Sequence, residues 1–139
     1  MKEQFVPYEI AIKLKEKDFN EPCLAYYNRL QNHKEFHLFG LNTPGQSEYT
    51  NTSLWNKKAH ACSAPLWQQV IDWLAETHNI DISTPPFWDA EGRSYSTILY
   101  RKSTGSIQSD EENTFHFFPE LPTKHEAIER GIIEALALI

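Results

Sequence analysis

The sequence predicts an α+β fold: an antiparallel sheet of about four to five strands with three helices, in the order α-β-β-loop-α-β-β-β-α. Three segments repeat apolar residues at helical spacing, around Ile10, Leu14; Leu66, Val70, Trp73, Leu74; and Ile128, Ile132, Leu136. The strand-like runs between them are short and joined by turn-forming stretches, which favours antiparallel pairing with helices on a face. At 139 residues, with 40% apolar and 23% charged positions, the chain fits one globular domain, 1–139, carrying a long polar loop at about 40–61.

The first helix is expected from about Pro7 to Lys17. Pro7 suits a first turn, where its missing N–H has no helical partner. Ile10, Ala11 and Leu14 form the apolar stripe, while Lys13, Lys15 and Lys17 favour the negative helix end. Asp18, which tolerates a left-handed conformation better than most residues, ends it before Phe19. After Glu21-Pro22, Cys23 to Tyr27 reads as a strand. Arg29 to Lys34 is turn-like, and Phe36 to Phe39 is the returning strand. Gly40 to Ala61 is polar, with a turn at Pro44-Gly45. A loop of that length is either functional or hides a strand around Trp55.

The central helix is the clearest statement in the chain. At about 100° per residue, Leu66, Trp67, Val70, Ile71, Trp73, Leu74 and His78 fall in one sector. Gln68, Gln69, Asp72 and Glu76 fill the other side. Ser63 is the expected N-cap, Pro65 sits in the first turn and Asn79 suits the end. The position of both tryptophans within the apolar sector makes them core anchors rather than a stacking platform for a base or sugar.

Ile80 to Ser83 alternates as a half-buried strand does. Pro85-Pro86 leads into Phe87-Trp88-Asp89-Ala90-Glu91-Gly92, read as a turn with its aromatics tucked onto the sheet. Tyr95 to Tyr100 is the strongest strand signal, and Thr114 to Phe118 is a further strand. Thr123-Lys124-His125-Glu126 is a capping box opening the last helix, whose stripe is Ile128, Ile132, Ala135, Leu136 and Ile139.

Composition narrows the function. A net charge of −6 disfavours nucleic-acid binding driven by phosphate neutralisation, leaving only local cationic groups such as Lys13-Lys15-Lys17, Lys57-Lys58 or Arg101-Lys102. Tyr95 and Tyr100 lie on opposite faces of one strand, which weakens a base-stacking platform there. Two cysteines, Cys23 and Cys62, give no disulfide framework and read as reduced, buried thiols. The first residues lack a signal peptide's apolar region, and no run approaches the roughly 20 apolar residues that span a bilayer, so a cytoplasmic protein without a membrane partner is expected.

Motifs for chemistry are sparse. His60-x-Cys62 is the one close pair of soft ligands and lacks a second pair at zinc spacing; Cys23, His60, Cys62 and His116 would have to converge in space. There is no Gly-x-Ser-x-Gly, no phosphate loop and no dinucleotide glycine pattern. No cofactor, metal or catalytic residue is therefore assigned. Asp89 and Glu91 beside Phe87-Trp88 resemble a sugar-stacking edge next to paired acids, which admits a small hydrolase as the remotest of three readings. The candidate interaction surface is Trp55, Phe87, Trp88, Asp89 and Glu91.

Two segments carry a resemblance. One is Phe5-Val6-Pro7-Tyr8-Glu9-Ile10-Ala11-Ile12-Lys13-Leu14-Lys15-Glu16 with Phe19, Glu21-Pro22-Cys23 and Tyr26-Tyr27. The other is Ser63 to Leu74 running into His78-Asn79-Ile80. Together they resemble a family of small uncharacterised proteins of Bacteroides and related bacteria, often encoded in prophage or mobile-element regions. The closing helix, with Glu126-Ala127, is similar too. Members of that family often have Gly where this chain has Asp18. The resemblance covers both ends and the middle, and implies an accessory protein of phage or mobile-element origin without implying an activity. The expectation is a non-catalytic protein-binding domain with a host or phage protein as partner; the alternative is a nucleic-acid accessory protein.

Overall fold

Pro7, with extended backbone at φ −68° and ψ 163°, caps helix α1 (Tyr8–Glu16). The helix closes as the sequence predicts, and more fully. Asp18 adopts φ 59°, the Phe19 N–H reaches back to Leu14 O at 3.0 Å and the Asp18 N–H to Lys15 O at 3.2 Å. These two bonds are the Schellman pattern, with Asp in the place glycine usually takes, and they fold Phe19 into the core at 1% exposure. The computed structural model describes residues 2–30, 33–38, 60–102 and 114–139. Within them the class is α+β, with strands in two antiparallel sheets of three and four. The chain divides into two compact units, Met1–Trp67 and Gln68–Ile139.

In the first unit, β1 (Ala25–Leu30) lies between β2 (His33–Leu38) and β3 (Ala61–Ala64), antiparallel to both. The turn-like stretch expected over Arg29 to Lys34 is largely strand: Arg29 pairs with Lys34 and Leu30 with His33. Ser63, expected as a helix N-cap, instead sits inside β3 opposite Tyr26. The ladder with β1 claims the backbone of Ala61–Ala64, so the helix starts later, at Trp67. Small side chains allow β3 to be buried along its whole length. The N-terminal segment is fastened to the residues after β3: Val6 N–H donates to Pro65 O at 2.9 Å and Phe5 bridges Leu66. The indole N–H of Trp67 donates to Glu3 O at 2.9 Å and the Tyr27 hydroxyl to Val6 O at 2.9 Å. Phe5, Val6, Ile10, Leu14, Phe19, Tyr27 and Cys62 are buried. The polar loop expected at about 40–61 lies outside the described residues, apart from His60 and Ala61.

Helix α2 (Trp67–His78) keeps the two-sided pattern read from its sequence. Trp67, Val70, Trp73 and Leu74 are buried, whereas Gln68, Asp72 and Glu76 are exposed. Asn79, at φ 55°, turns the chain out of the helix.

In the second unit, β6 (Gly92–Arg101) is the central strand. It pairs with β4 (Ile80–Ser83), β5 (Pro86–Asp89) and β7 (Thr114–Leu121). Tyr95 pairs with both Pro86 and Leu121, and Leu99 with both Ile82 and His116, so β4 and β5 share one side of β6 and β7 takes the other. The register of β4 continues into β5 without a shift. Ser96 N–H donates to Pro85 O at 3.1 Å in the gap between them. The two strands are one long hairpin arm interrupted at Thr84-Pro85. On the other side, a register shift between Tyr95 and Thr97 accommodates Pro119 within β7, with Glu120 at φ 63°.

Helix α3 (Lys124–Ala137) opens on the predicted capping box: the Thr123 hydroxyl accepts from Glu126 N–H at 3.1 Å, and the Glu126 carboxylate accepts from Thr123 N–H at 3.1 Å. It covers one sheet face. Thr97 Oγ1 donates to Ala127 O at 2.6 Å and the Arg101 guanidinium to Leu138 O at 2.9 Å. Gly131 sits so close to the sheet that a Cβ there would meet Ile82 Cγ2 at 2.7 Å and Thr97 Cγ2 at 3.0 Å.

Two further expectations are corrected. The strands form two sheets rather than one sheet of four to five, and Phe87 to Asp89 is strand, not turn. Of the two extra strands, β3 depends on distant pairing with β1, whereas β5 pairs with its chain neighbour β6. Neither the small residues of β3 nor the proline pair at the start of β5 carries a local strand preference.

Candidate functional site

The hairpin joining β5 to β6 brings together four of the five residues singled out from the sequence. Its two-residue turn is Ala90-Glu91. Positive φ among the described non-glycine residues occurs only at Asp18, Asn79 and Glu120, so the turn is not of the mirror-image kind. Asp89 and Gly92 hold it instead. Asp89 Oδ1 accepts from Glu91 N–H at 2.8 Å and from Gly92 N–H at 3.0 Å, while Gly92 takes φ +132°, which side-chain-bearing residues rarely adopt.

The side chains beside this turn face water. Phe87 is 51% and Trp88 67% exposed, so the expectation that they tuck onto the sheet is overturned. Alternation along β5 puts them on opposite faces. Trp88, opposite Arg93, is on the face that α3 covers further along; Phe87, opposite Ser94, is on the other. Arg93 lies 5.2 Å from the centre of the Trp88 ring and 5.0 Å from that of Tyr95, so the guanidinium links two aromatic rings. The outer edge of the arm is unpaired among the described residues. Ser96 N–H to Pro85 O and Lys102 N–H to Asn79 O fix which arm residues bond inward. The alternation of an antiparallel ladder then directs the main-chain groups of Ile82, Thr84, Pro86 and Trp88 outward.

A cavity of about 450 Å³ opens at the tip, lined by Asp89, Glu91, Gly92, Arg93, Ser94, Glu120 and Pro122. Ser94 Oγ is buried without a hydrogen-bond partner among the described residues. Arg93, Ser94, Glu120 and Pro122 were not singled out from the sequence. The bulge in β7 carries Glu120 to the hairpin, and no local motif announces that approach. Asp89 three residues before Gly92 is the one sequence signal that defines the turn itself. Trp55 lies outside the described residues.

The other candidate groups stand apart from this site. Cys62 is fully buried in β3, with its thiol pushed up to about 11 by burial, a shift only partly offset by Lys15. Burial first, and then the Cys62 and Glu9 charges, push the Tyr27 phenol up to about 12. Cys23 is buried and its Sγ is 3.3 Å from Glu21 O; His60 is exposed and its carbonyl accepts from Arg29 N–H. Among the described residues, no group of three or more His, Cys, Asp or Glu gathers where it could hold a metal ion. Among the cations proposed for nucleic acid, Lys15 Nζ donates to Ala61 O at 2.7 Å and Arg101 to Leu138 O, while Lys13 and Lys102 are exposed. Lys57-Lys58 lies outside the described residues. Tyr95 and Tyr100 do occupy opposite faces of β6. Tyr100 instead shares a face with Phe117, and both are exposed. Among the described residues, no helix is long and apolar enough to cross a membrane.

No family model, no curated protein and no solved structure matches this chain.

Proposed function

We propose that this chain is a phage or mobile-element accessory protein that acts as a non-catalytic, protein-binding α+β domain in the cytoplasm. Its binding surface is the tip of the β5–β6 hairpin. The observation that carries this reading is the pair Phe87 and Trp88, more than half exposed on either face of a strand whose outer edge is unpaired among the described residues. Exposed tryptophan beside arginine is the chemistry that dominates protein interfaces, and stacking on Arg93 limits the freedom Trp88 would lose on binding. The buried thiol and phenol are shifted in the direction that suppresses nucleophilic or basic chemistry at neutral pH. The phage or mobile-element setting rests on the sequence resemblance.

The test is affinity capture from host and phage-infected lysates, comparing wild type with the F87A/W88A double variant. The expected result is a partner recovered reproducibly by wild type and lost with the variant, at an unchanged melting temperature. A wild-type protein that recovers nothing, or a variant that recovers the same partner equally, refutes the reading.

A further inference from the structure

We infer that the outer edge of the β4–β5 arm takes an extended, lysine- or arginine-bearing segment of a partner protein as an added strand; this rests on the protein-binding reading above. The edge offers outward main-chain groups at Ile82, Thr84, Pro86 and Trp88. Pro86, having no N–H, leaves a carbonyl alone at its place in the row. Exposed edges are ordinarily protected by lysine, by proline or by an inward charge; here proline stands at 85 and 86, and it blocks main-chain donation only at those positions. This arm, from Ile80 to Asp89, carries Asp81 and Asp89 and no cation. Glu91 extends the negative charge into the turn, and Glu120 adds to it across β6. Among the described residues Arg93 is the one cation lining the cavity, and it stacks against Trp88 and Tyr95.

Charge selects the occupant. A second copy of the chain joined edge to edge would set Asp89 near Asp81 in an antiparallel arrangement, or near Asp89 in a parallel one. Either way, acid meets acid without a cation on the arm to offset it. A basic extended segment meets the opposite situation. Its backbone completes the ladder, its alternate side chains lie along Trp88 on one face and Phe87 on the other, and its cations face Asp81, Asp89 and Glu91.

The experiment uses the full chain and a fluorescein-labelled peptide of four Lys-Val repeats, read by anisotropy at low and at physiological salt. Three comparison probes are the Glu-Val counterpart, a Lys-Val peptide N-methylated at alternate residues, and the same Lys-Val peptide against D89N/E91Q. Asn at 89 keeps the Oδ1 that holds the turn, so the variant retains the hairpin. Binding of the Lys-Val peptide is expected, weakening at least tenfold with N-methylation, with D89N/E91Q and on replacing Lys by Glu. Equal binding by the N-methylated peptide overturns strand addition, and equal binding by D89N/E91Q overturns the charge argument. A mass that doubles with concentration, with no peptide bound, gives the edge to a second copy and overturns the occupant. If partner capture depends on Phe87 and Trp88 but the Lys-Val peptide does not bind, the edge inference fails while the protein-binding reading stands.

Discussion

Replacing Gly131 by alanine tests a close approach of α3 to the sheet in the second unit. In an isolated helix this change is favourable by about 1 kcal/mol. In α3 it should be unfavourable. The added methyl would lie 2.7 Å from Ile82 Cγ2 and 3.0 Å from Thr97 Cγ2, well inside ordinary carbon–carbon contact. Neither neighbour yields readily. Both atoms are branch methyls on Cβ, and rotating Thr97 would break its hydroxyl bond to Ala127 O at 2.6 Å. Overpacking of a rigid site costs about 3 kcal/mol at the upper end of the usual range, and subtracting the helix gain leaves a net loss of about 2 kcal/mol. For a chain of this size that lowers the melting temperature by roughly 6–8 °C. The assay is thermal unfolding followed by circular dichroism, with G131A/I82L beside G131A. Leucine removes the offending branch methyl, so the double variant should recover about half of the loss. A G131A protein as stable as wild type, or more so, would refute the view that helix and strand meet here without slack.

Three further outcomes follow from the same reasoning. T123A removes the hydroxyl of the capping box and should cost about 1 kcal/mol in urea unfolding, whereas T123S should cost a few tenths at most. Stability should fall as pH rises from 9 to 11: the buried Cys62 thiol keeps its proton in the folded state to about 11 but in the unfolded chain only to about 9, so its contribution is complete below 9 and lost by 11. That single group accounts for about 2–3 kcal/mol, and chemical unfolding of C62A should show a shallower alkaline decline. W67F, which deletes the indole N–H bonded to Glu3 O, should lower stability by about 1 kcal/mol and increase amide exchange at residues 3–6.

The helices were legible because their signals are local. Pro7, Asp18 before Phe19, Asn79 and the Thr123–Glu126 pair mark ends that the chain then makes, and the wheel of α2 separates buried from exposed positions. Strands were legible where β-branched and aromatic residues alternate, as in β6. β3 was not, because Ala61-Cys62-Ser63-Ala64 becomes a strand only by pairing with β1, and its burial needs small side chains rather than strong strand formers. β5 was not, because Pro85-Pro86 reads as a break. In the structure the strand breaks only at Thr84-Pro85, Pro86 already pairs with Tyr95, and the register does not shift. The adjacency of two aromatics and two acids picked out Phe87, Trp88, Asp89 and Glu91. Exposure of the two rings, and the arrival of Glu120 through the bulge after Pro119, are consequences of register that no local pattern contains.

The unbroken register of the arm makes the hairpin a ruler. Adding or removing two residues from each of its strands would move the tip by about 6.8 Å while leaving Ile82, Thr97 and Leu99 beneath α3, since side-chain direction repeats every second residue. An odd change would turn one whole strand inside out. The fold thus allows the reach of the hairpin to vary in even steps independently of the core.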